Sequence, residues 1–201
     1  MTEPAPGGPS PAELLALLSA RRVCRDFSPE PVAEAELVQL LEAARWASSA
    51  GNTRVQRFLV LADPARIRLA KALAPGVLAV PPAMIAICTD LDAVARAEVR
   101  LGRDASVLID VGTAAMSMMV QAHALGLGTC PSTSFSQAGV RTVLRLPERA
   151  RPEMLLLVGH PRRLELARVS RPSRRPSPRL RELAYWERYG EPLPERLLKP
   201  F

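Results

Sequence analysis

The sequence predicts one α+β domain, and three observations carry that prediction. Apolar residues recur at helical spacing in several segments, short uncharged runs between them read as strands, and no repeat or linker divides the chain. At 201 residues the chain is long enough for one real core, with 48% apolar and 23% charged residues, as in ordinary globular proteins. Aromatics are only 4%, so aliphatic side chains must fill that core.

Residues 1–10 are rich in Pro and Gly and have no apolar run, so they read as a disordered leader rather than a signal peptide. Residues 11–20 form a short helix with Leu14, Leu15, Leu17 and Leu18 as its apolar stripe. A basic segment follows at 21–27, then the Ser28-Pro29-Glu30-Pro31 turn. The clearest amphipathic helix is 34–47, with Leu37, Leu40, Leu41, Ala44 and Trp46 at helical spacing. Ser48-Ser49-Ala50-Gly51-Asn52 breaks it as a polar loop. Residues 57–62 suit a strand, and 64–74 a helix with Pro in its first turn.

Residues 84–89 read as a fully apolar strand, after which Asp90 or Asp92 can start another helix. A long helix over 104–125 stops at Gly126 and Gly128. It is nearly uncharged and almost long enough to span a bilayer, but Asp110, Thr113, Ser117, Gln121 and His123 interrupt it. A helix buried in a core or subunit interface explains it better than a membrane span. An extended piece at 129–135, a helix at 137–144, a buried strand at 154–158 and a last helix within 180–189 complete the series.

Net charge is +7 and the pI about 10.3. Only Lys71 and Lys199 are lysines, so 25 of the 27 basic residues are arginine, a side chain suited to planar, bidentate binding of phosphate and carboxylate. A coding bias toward Arg and Ala explains most of them as surface charge. Cys24, Cys88 and Cys130 are odd in number and scattered, which suits a reducing cytoplasm and argues against a disulfide framework or a zinc site. His123 and His160 read as structural, no serine sits in a nucleophile elbow, and Gly126 and Gly128 are too few for a dinucleotide fingerprint. Any chemistry therefore belongs to a bound cofactor.

Three ordered segments resemble the nitroreductase family. The first is Arg21-Arg22-Val23-Cys24-Arg25-Asp26-Phe27, with Pro31-Val32 and the helix ending Leu41-Glu42-Ala43-Ala44-Arg45-Trp46-Ala47. The second is Ser48-Ser49-Ala50-Gly51-Asn52. The third joins Ala122-His123-Ala124-Leu125-Gly126-Leu127-Gly128-Thr129-Cys130, Leu146-Pro147-Glu148 and Val158-Gly159-His160-Pro161. The resemblance implies a nitroreductase-like fold over residues 11–178: a central, mostly antiparallel sheet flanked by helices, in an intertwined homodimer. Residues 179–201 would be a tail that wraps the partner subunit or hangs free.

The resemblance also implies FMN as cofactor, NADH or NADPH as electron donor, and a small-molecule substrate such as a nitroaromatic or quinone. Arg21, Arg22 and Arg25, with Arg174 and Arg175, would meet the phosphate and ribityl end. Ser48, Ser49 and Asn52 would reach the ring from the partner subunit, and Pro131, Ser132, Thr133 and Ser134 would place donors near flavin N5. Two departures stand out: Val23 occupies a position usually serine, and Arg54-Val55-Gln56 replaces Gln-Pro-Trp, removing an aromatic wall. The short 62–106 stretch leaves little room for a lid, so the pocket should be open.

Other readings remain. The same fold supports flavin-dependent dehydrogenation or oxidation in natural-product tailoring. Val23 and Arg54 are also compatible with a flavin-free scaffold. Residues 162–181 hold eight arginines and one acid, which suits a nucleic-acid backbone. No aromatic precedes Tyr185, Trp186 and Tyr189 there, and no reading module is visible, which disfavours nucleic acid as a partner.

Overall fold

The computed structural model describes residues 8–77, 79–98, 103–162 and 178–197. Arg174, Arg175, the first seven residues of the expected leader and most of the basic 162–181 stretch lie outside the described residues. Helix α1, Pro11–Ala20, begins in a capping box. Ser10 Oγ accepts from the Glu13 N–H at 3.2 Å, Glu13 Oε2 accepts from the Ser10 N–H at 2.7 Å, and Pro11 follows the cap where no N–H is needed. Ser10 is thus a helix cap rather than part of a leader.

The other elements are α2 (Glu34–Arg45), a 3-10 turn (Ala50–Asn52), β1 (Gln56–Leu61), α3 (Pro64–Ala72), β2 (Ala83–Asp90) and α4 (Leu91–Arg96). After them come α5 (Arg103–Ala124), β3 (Gly128–Ser132), α6 (Gln137–Val143), β4 (Ala150–Gly159) and α7 (Leu180–Leu183). The four strands form an antiparallel sheet in the order β1-β2-β4-β3. Helices cover both faces.

Strand periodicity divides the core in two. Met84, Ala86, Cys88, Leu155 and Leu157 face α3 and α6, where Ile67, Ala70 and Val140 pack. Ala83, Ile85, Ile87, Leu156 and Val158 face α2 and α5, against Leu40, Ala44, Val111, Ala115 and Met118. The stretches 83–88 of β2 and 154–158 of β4 are therefore apolar at every position rather than alternating.

Burial pushes the Cys88 thiol up to about 11, and the nearby Glu153 carboxylate adds to the effect. Asp90 ends β2 and caps α4, its Oδ1 accepting from the Ala93 N–H at 3.1 Å. That bond, with Arg57 at 3.0 Å and Arg96 also nearby, holds its carboxyl below the ordinary carboxylate range, against the opposing effect of burial.

Several expectations change. The leucine stripe of α1 is not core: Leu14, Leu15 and Leu18 are exposed although the helix lies against α5. Trp46 is also outside the core, 71% exposed, with the Arg45 guanidinium 4.6 Å from its ring centroid. The Ala105–Ala124 stretch of α5 is apolar and long enough to cross a bilayer, with mean hydropathy 1.3. One of its faces is buried on the sheet, while Leu108, Ile109 and Met116 remain exposed. The last helix is a single turn, because the chain folds back: Trp186 N–H donates to Glu191 O at 2.9 Å and Tyr185 bridges Pro192.

Candidate functional site

The 21–27 segment leaves α1 and docks on the outer edge of β3. Val23 forms a parallel bridge with Thr129, and the Cys24 N–H donates to Thr129 O at 2.8 Å. Alternation along β3 points the backbone groups of Thr129 and Pro131 to the same outer edge. Pro131 has no N–H to offer there, so the parallel ladder stops after one bridge. The segment then crosses to the end of β4, where Phe27 bridges Pro161 and the Ser28 N–H donates to His160 O at 2.8 Å. Arg162 fastens this end: its Nε donates to Phe27 O at 2.9 Å and lies 3.5 Å from Asp26 Oδ1.

Docking this close needs missing side chains. A Cβ on Gly159 would stand 2.6 Å from Pro82 Cδ and 3.0 Å from the Phe27 ring. The Leu-Gly-Leu-Gly run has a second use: Gly126, at φ +77, ends α5 in the left-handed conformation that glycine adopts without strain.

The three arginines of the segment diverge. Arg22 is exposed and caps the helix, its Nη1 donating to Ser19 O and, at 2.9 Å, to Arg21 O. Arg25 is exposed on the segment. Arg21 is half-buried, and its Nε and Nη1 are enclosed without an acceptor among the described residues. A guanidinium with enclosed, unpaired N–H groups is costly unless an anion meets it. On the same sheet edge, β3 ends in Ser132, which is buried with its Oγ also unpartnered among the described residues. Thr133 and Ser134 are exposed, and Pro131 is half-buried. Gly76 approaches this turn so closely that a Cβ there would lie 3.1 Å from Ser134 Cβ and 3.3 Å from Ser132 Oγ.

The polar loop after α2 is a separate, pinned structure. Asp110, buried on α5, accepts from the Ala50 N–H at 3.0 Å through Oδ1, and Thr113 Oγ1 donates to Ser48 O at 2.9 Å. Ser49 Oγ accepts from the Arg54 N–H at 3.3 Å, and Asn52 Oδ1 accepts from Arg54 Nε at 3.0 Å. Gly51, Asn52 and Arg54 all have left-handed backbones, at φ 58, 54 and 48. Such conformations persist in non-glycine residues where surrounding bonds hold them.

These two groups do not meet within one chain. The Ser48–Asn52 loop leads into β1 at one edge of the sheet, whereas Arg21 and Arg25, either side of the Val23 bridge, and Ser132, at the end of β3, belong to the other edge. Two strands separate the edges, and three strand spacings make roughly 14 Å. Sequence reasoning had Asp110 only as a polar interruption in an apolar helix. That a lone carboxylate in such a helix must find a donor was the available signal. It also passed over Gly76, for which the sequence carries no signal. Among the described residues no His, Cys, Asp and Glu groups could hold a metal ion.

Comparison with known proteins matches these features to one family. The sequence model of the Nitroreductase family matches residues 18–160. The chain is 29% identical over 170 residues to an NADH dehydrogenase of Thermus thermophilus, covering 70% of this chain and 83% of that protein. It is 27% identical over 164 residues to an FMN reductase [NAD(P)H] of Bacillus subtilis, covering 74% of this chain and 66% of that one. A crystal structure of a nitroreductase family protein from Clostridium difficile 630 superposes with TM-score 0.69 at 26% identity, covering 86% of this chain and 96% of the other.

Proposed function

Because the chain belongs to the nitroreductase family, matched over residues 18–160, we propose that it is an FMN-dependent oxidoreductase. It takes electrons from NADH or NADPH and delivers them to an electron-poor small molecule, such as a nitroaromatic or quinone, in two half-reactions. The observation that carries this reading is Arg21, whose Nε and Nη1 are enclosed with no acceptor among the described residues. A phosphate dianion supplies the acceptors they lack.

The residues present fit the group. Arg21 holds the phosphate, with Arg25 and the Arg174 and Arg175 pair adding charge. Ser132 Oγ, enclosed and unpartnered among the described residues, would donate to the cofactor's polar edge, and Pro131, Thr133 and Ser134 line the same turn. When bound, FMN supplies the hydride chemistry; the protein positions it and tunes its electronics. Val23 offers no hydroxyl, so the charge of the arginines carries the phosphate contact.

Ser48, Ser49 and Asn52 stand at the opposite sheet edge, which supports a site completed by a second subunit's loop. An apolar surface for that assembly is present: Leu108, Ile109 and Met116 of α5, with Leu14, Leu15 and Leu18 of α1. The names of the two relatives, an FMN reductase and an NADH dehydrogenase, support both the cofactor and the donor.

The test is an FMN titration of the purified protein, followed by its visible spectrum and the rate of NADH or NADPH oxidation. Yellow protein is expected, with Arg21→Ala weakening FMN at least about tenfold, the loss of one charge-assisted contact. Protein that stays colourless in excess FMN sinks the proposal.

A further inference from the structure

The turn that joins β3 to α6, residues 132–136, is held at both ends. Ser132 is in register with Leu155 of β4, and the Ser136 N–H donates to Leu73 O at 2.9 Å. Ser136 Oγ caps α6 by accepting from the Gly139 N–H at 3.2 Å. Leu73 packs against that same helix turn, where a Cβ on Gly139 would stand 3.1 Å from Leu73 Cδ1 and Cδ2. Between these ends Thr133 and Ser134 are exposed, so the middle of the turn is the part with room to move.

A second turn, at the end of α3, backs that middle. The Val77 N–H donates to Ala74 O at 2.9 Å, with Pro75 and Gly76 between them. Proline fixes its own φ, and Ala74 and Val77 are both buried in the core, so this turn has no room to retreat. A Cβ on Gly76 would stand 3.1 Å from Ser134 Cβ and 3.3 Å from Ser132 Oγ. The Gly76 backbone is not left-handed, unlike that of Gly51, Gly126 and Gly190. Space, and not backbone conformation, therefore demands glycine here. A side chain of one carbon must displace the Ser132–Ser134 turn by a few tenths of an ångström.

We propose that Gly76 is a positioning residue, which sets how far the Ser132–Ser134 turn stands from the cofactor ring and so the length of the donor contacts made there. The inference rests on the FMN reading. The reaction concerned moves a hydride, two electrons with one proton, from NADH or NADPH to the bound flavin and releases NAD+ or NADP+. Donors out of place beside the ring slow that transfer. The atoms nearest a Cβ on Gly76 belong to Ser132 and Ser134, so the phosphate contact given to Arg21 is left as it is.

The test compares wild type, Gly76→Ala, Ser134→Gly and the double variant. FMN affinity is read by titration, flavin reduction by stopped-flow absorbance at saturating NADH or NADPH, and the turn by deuterium uptake of the 133–135 amides. Gly76→Ala is expected to keep FMN affinity within about threefold of wild type and to slow reduction at least about threefold. Deuterium uptake at 133–135 should change with it. Both effects should vanish when Gly76→Ala is made in the Ser134→Gly chain, which lacks the carbon that the new methyl group meets. If Gly76→Ala alone does not fold, recovery of the fold in the double variant supports the contact, and loss in both overturns it. A yellow wild type whose Gly76→Ala variant is reduced at the wild-type rate overturns this inference and leaves the flavin reading standing, as does slowing that persists undiminished in the Ser134→Gly chain. Wild-type protein that stays colourless in excess FMN overturns the flavin reading, and this inference with it.

Discussion

The backbone at Gly128 passes so close to Cys24 that a Cβ there would stand 2.6 Å from Cys24 Cβ and 2.7 Å from its Sγ. That contact fixes the distance at which the 21–27 segment lies against β3, and so where Arg21 is held. Gly128→Ala should cost about 1–3 kcal/mol by overpacking, with weaker FMN binding in the fraction that folds. Urea unfolding and FMN titration measure the two effects, and wild-type values in both would contradict the role given to this contact.

Asp110 joins α5 to the loop across 60 residues of sequence through its bond from the Ala50 N–H. Asp110→Ala leaves that donor without its acceptor and should destabilise the fold by about 1–3 kcal/mol. The Ala50 amide should also exchange faster with deuterium. Asp110→Asn keeps an acceptor oxygen and should recover most of the loss.

Cys88 should resist alkylation in the folded protein, because burial and then Glu153 push its thiol up to about 11. Peptide mapping by mass spectrometry after iodoacetamide at pH 8 separates it from Cys24 and Cys130. The linkage has a defined sign: a thiol with a raised folded pKa favours the fold below its unfolded value near 9, and that contribution is lost as pH rises toward 11. Rapid labelling of Cys88 at pH 8 without unfolding would refute the assignment.

Asp90 works at the acid end. Its folded pKa lies below the ordinary 3.8, so its contribution is full above that value and is lost as pH falls through the lower folded one. Asp90→Asn retains a capping side chain but loses the charge opposite Arg57, which is half exposed, for an expected loss of about 0.2–1 kcal/mol at neutral pH. Asp90→Ala removes the cap as well and should cost about 1 kcal/mol more. Thermal melts across pH should show the Asp90→Asn difference vanish in acid.

Much of the fold was legible because local and tertiary preferences agree. The Ser10, Pro11 and Glu13 pattern sets the start of α1. The unbroken apolar run of β2 marks a strand covered on both faces. β4 begins at Ala150, four residues before its apolar run, because Pro152 falls where the strand has a partner on one side only. The leucines of α1 form the apolar stripe that periodicity shows, but periodicity does not show what covers a face, and here it is exposed. The arginine motif led to Arg21, but that Arg22 turns back onto its own helix is a matter of packing. The approach of Gly76 to Ser134 joins positions far apart in the chain through the packing of α3 on α6, which no local pattern reports.

Pro131 has one more consequence. A sheet edge with regularly spaced free donors and acceptors is a template on which another extended chain can stack, and repeated stacking leads to fibres. At β3 the first outward donor after Thr129 is missing, so an incoming strand finds at Pro131 an acceptor with no donor beside it. The residue that confines the arginine segment to a single bridge also makes this edge a poor seed for aggregation.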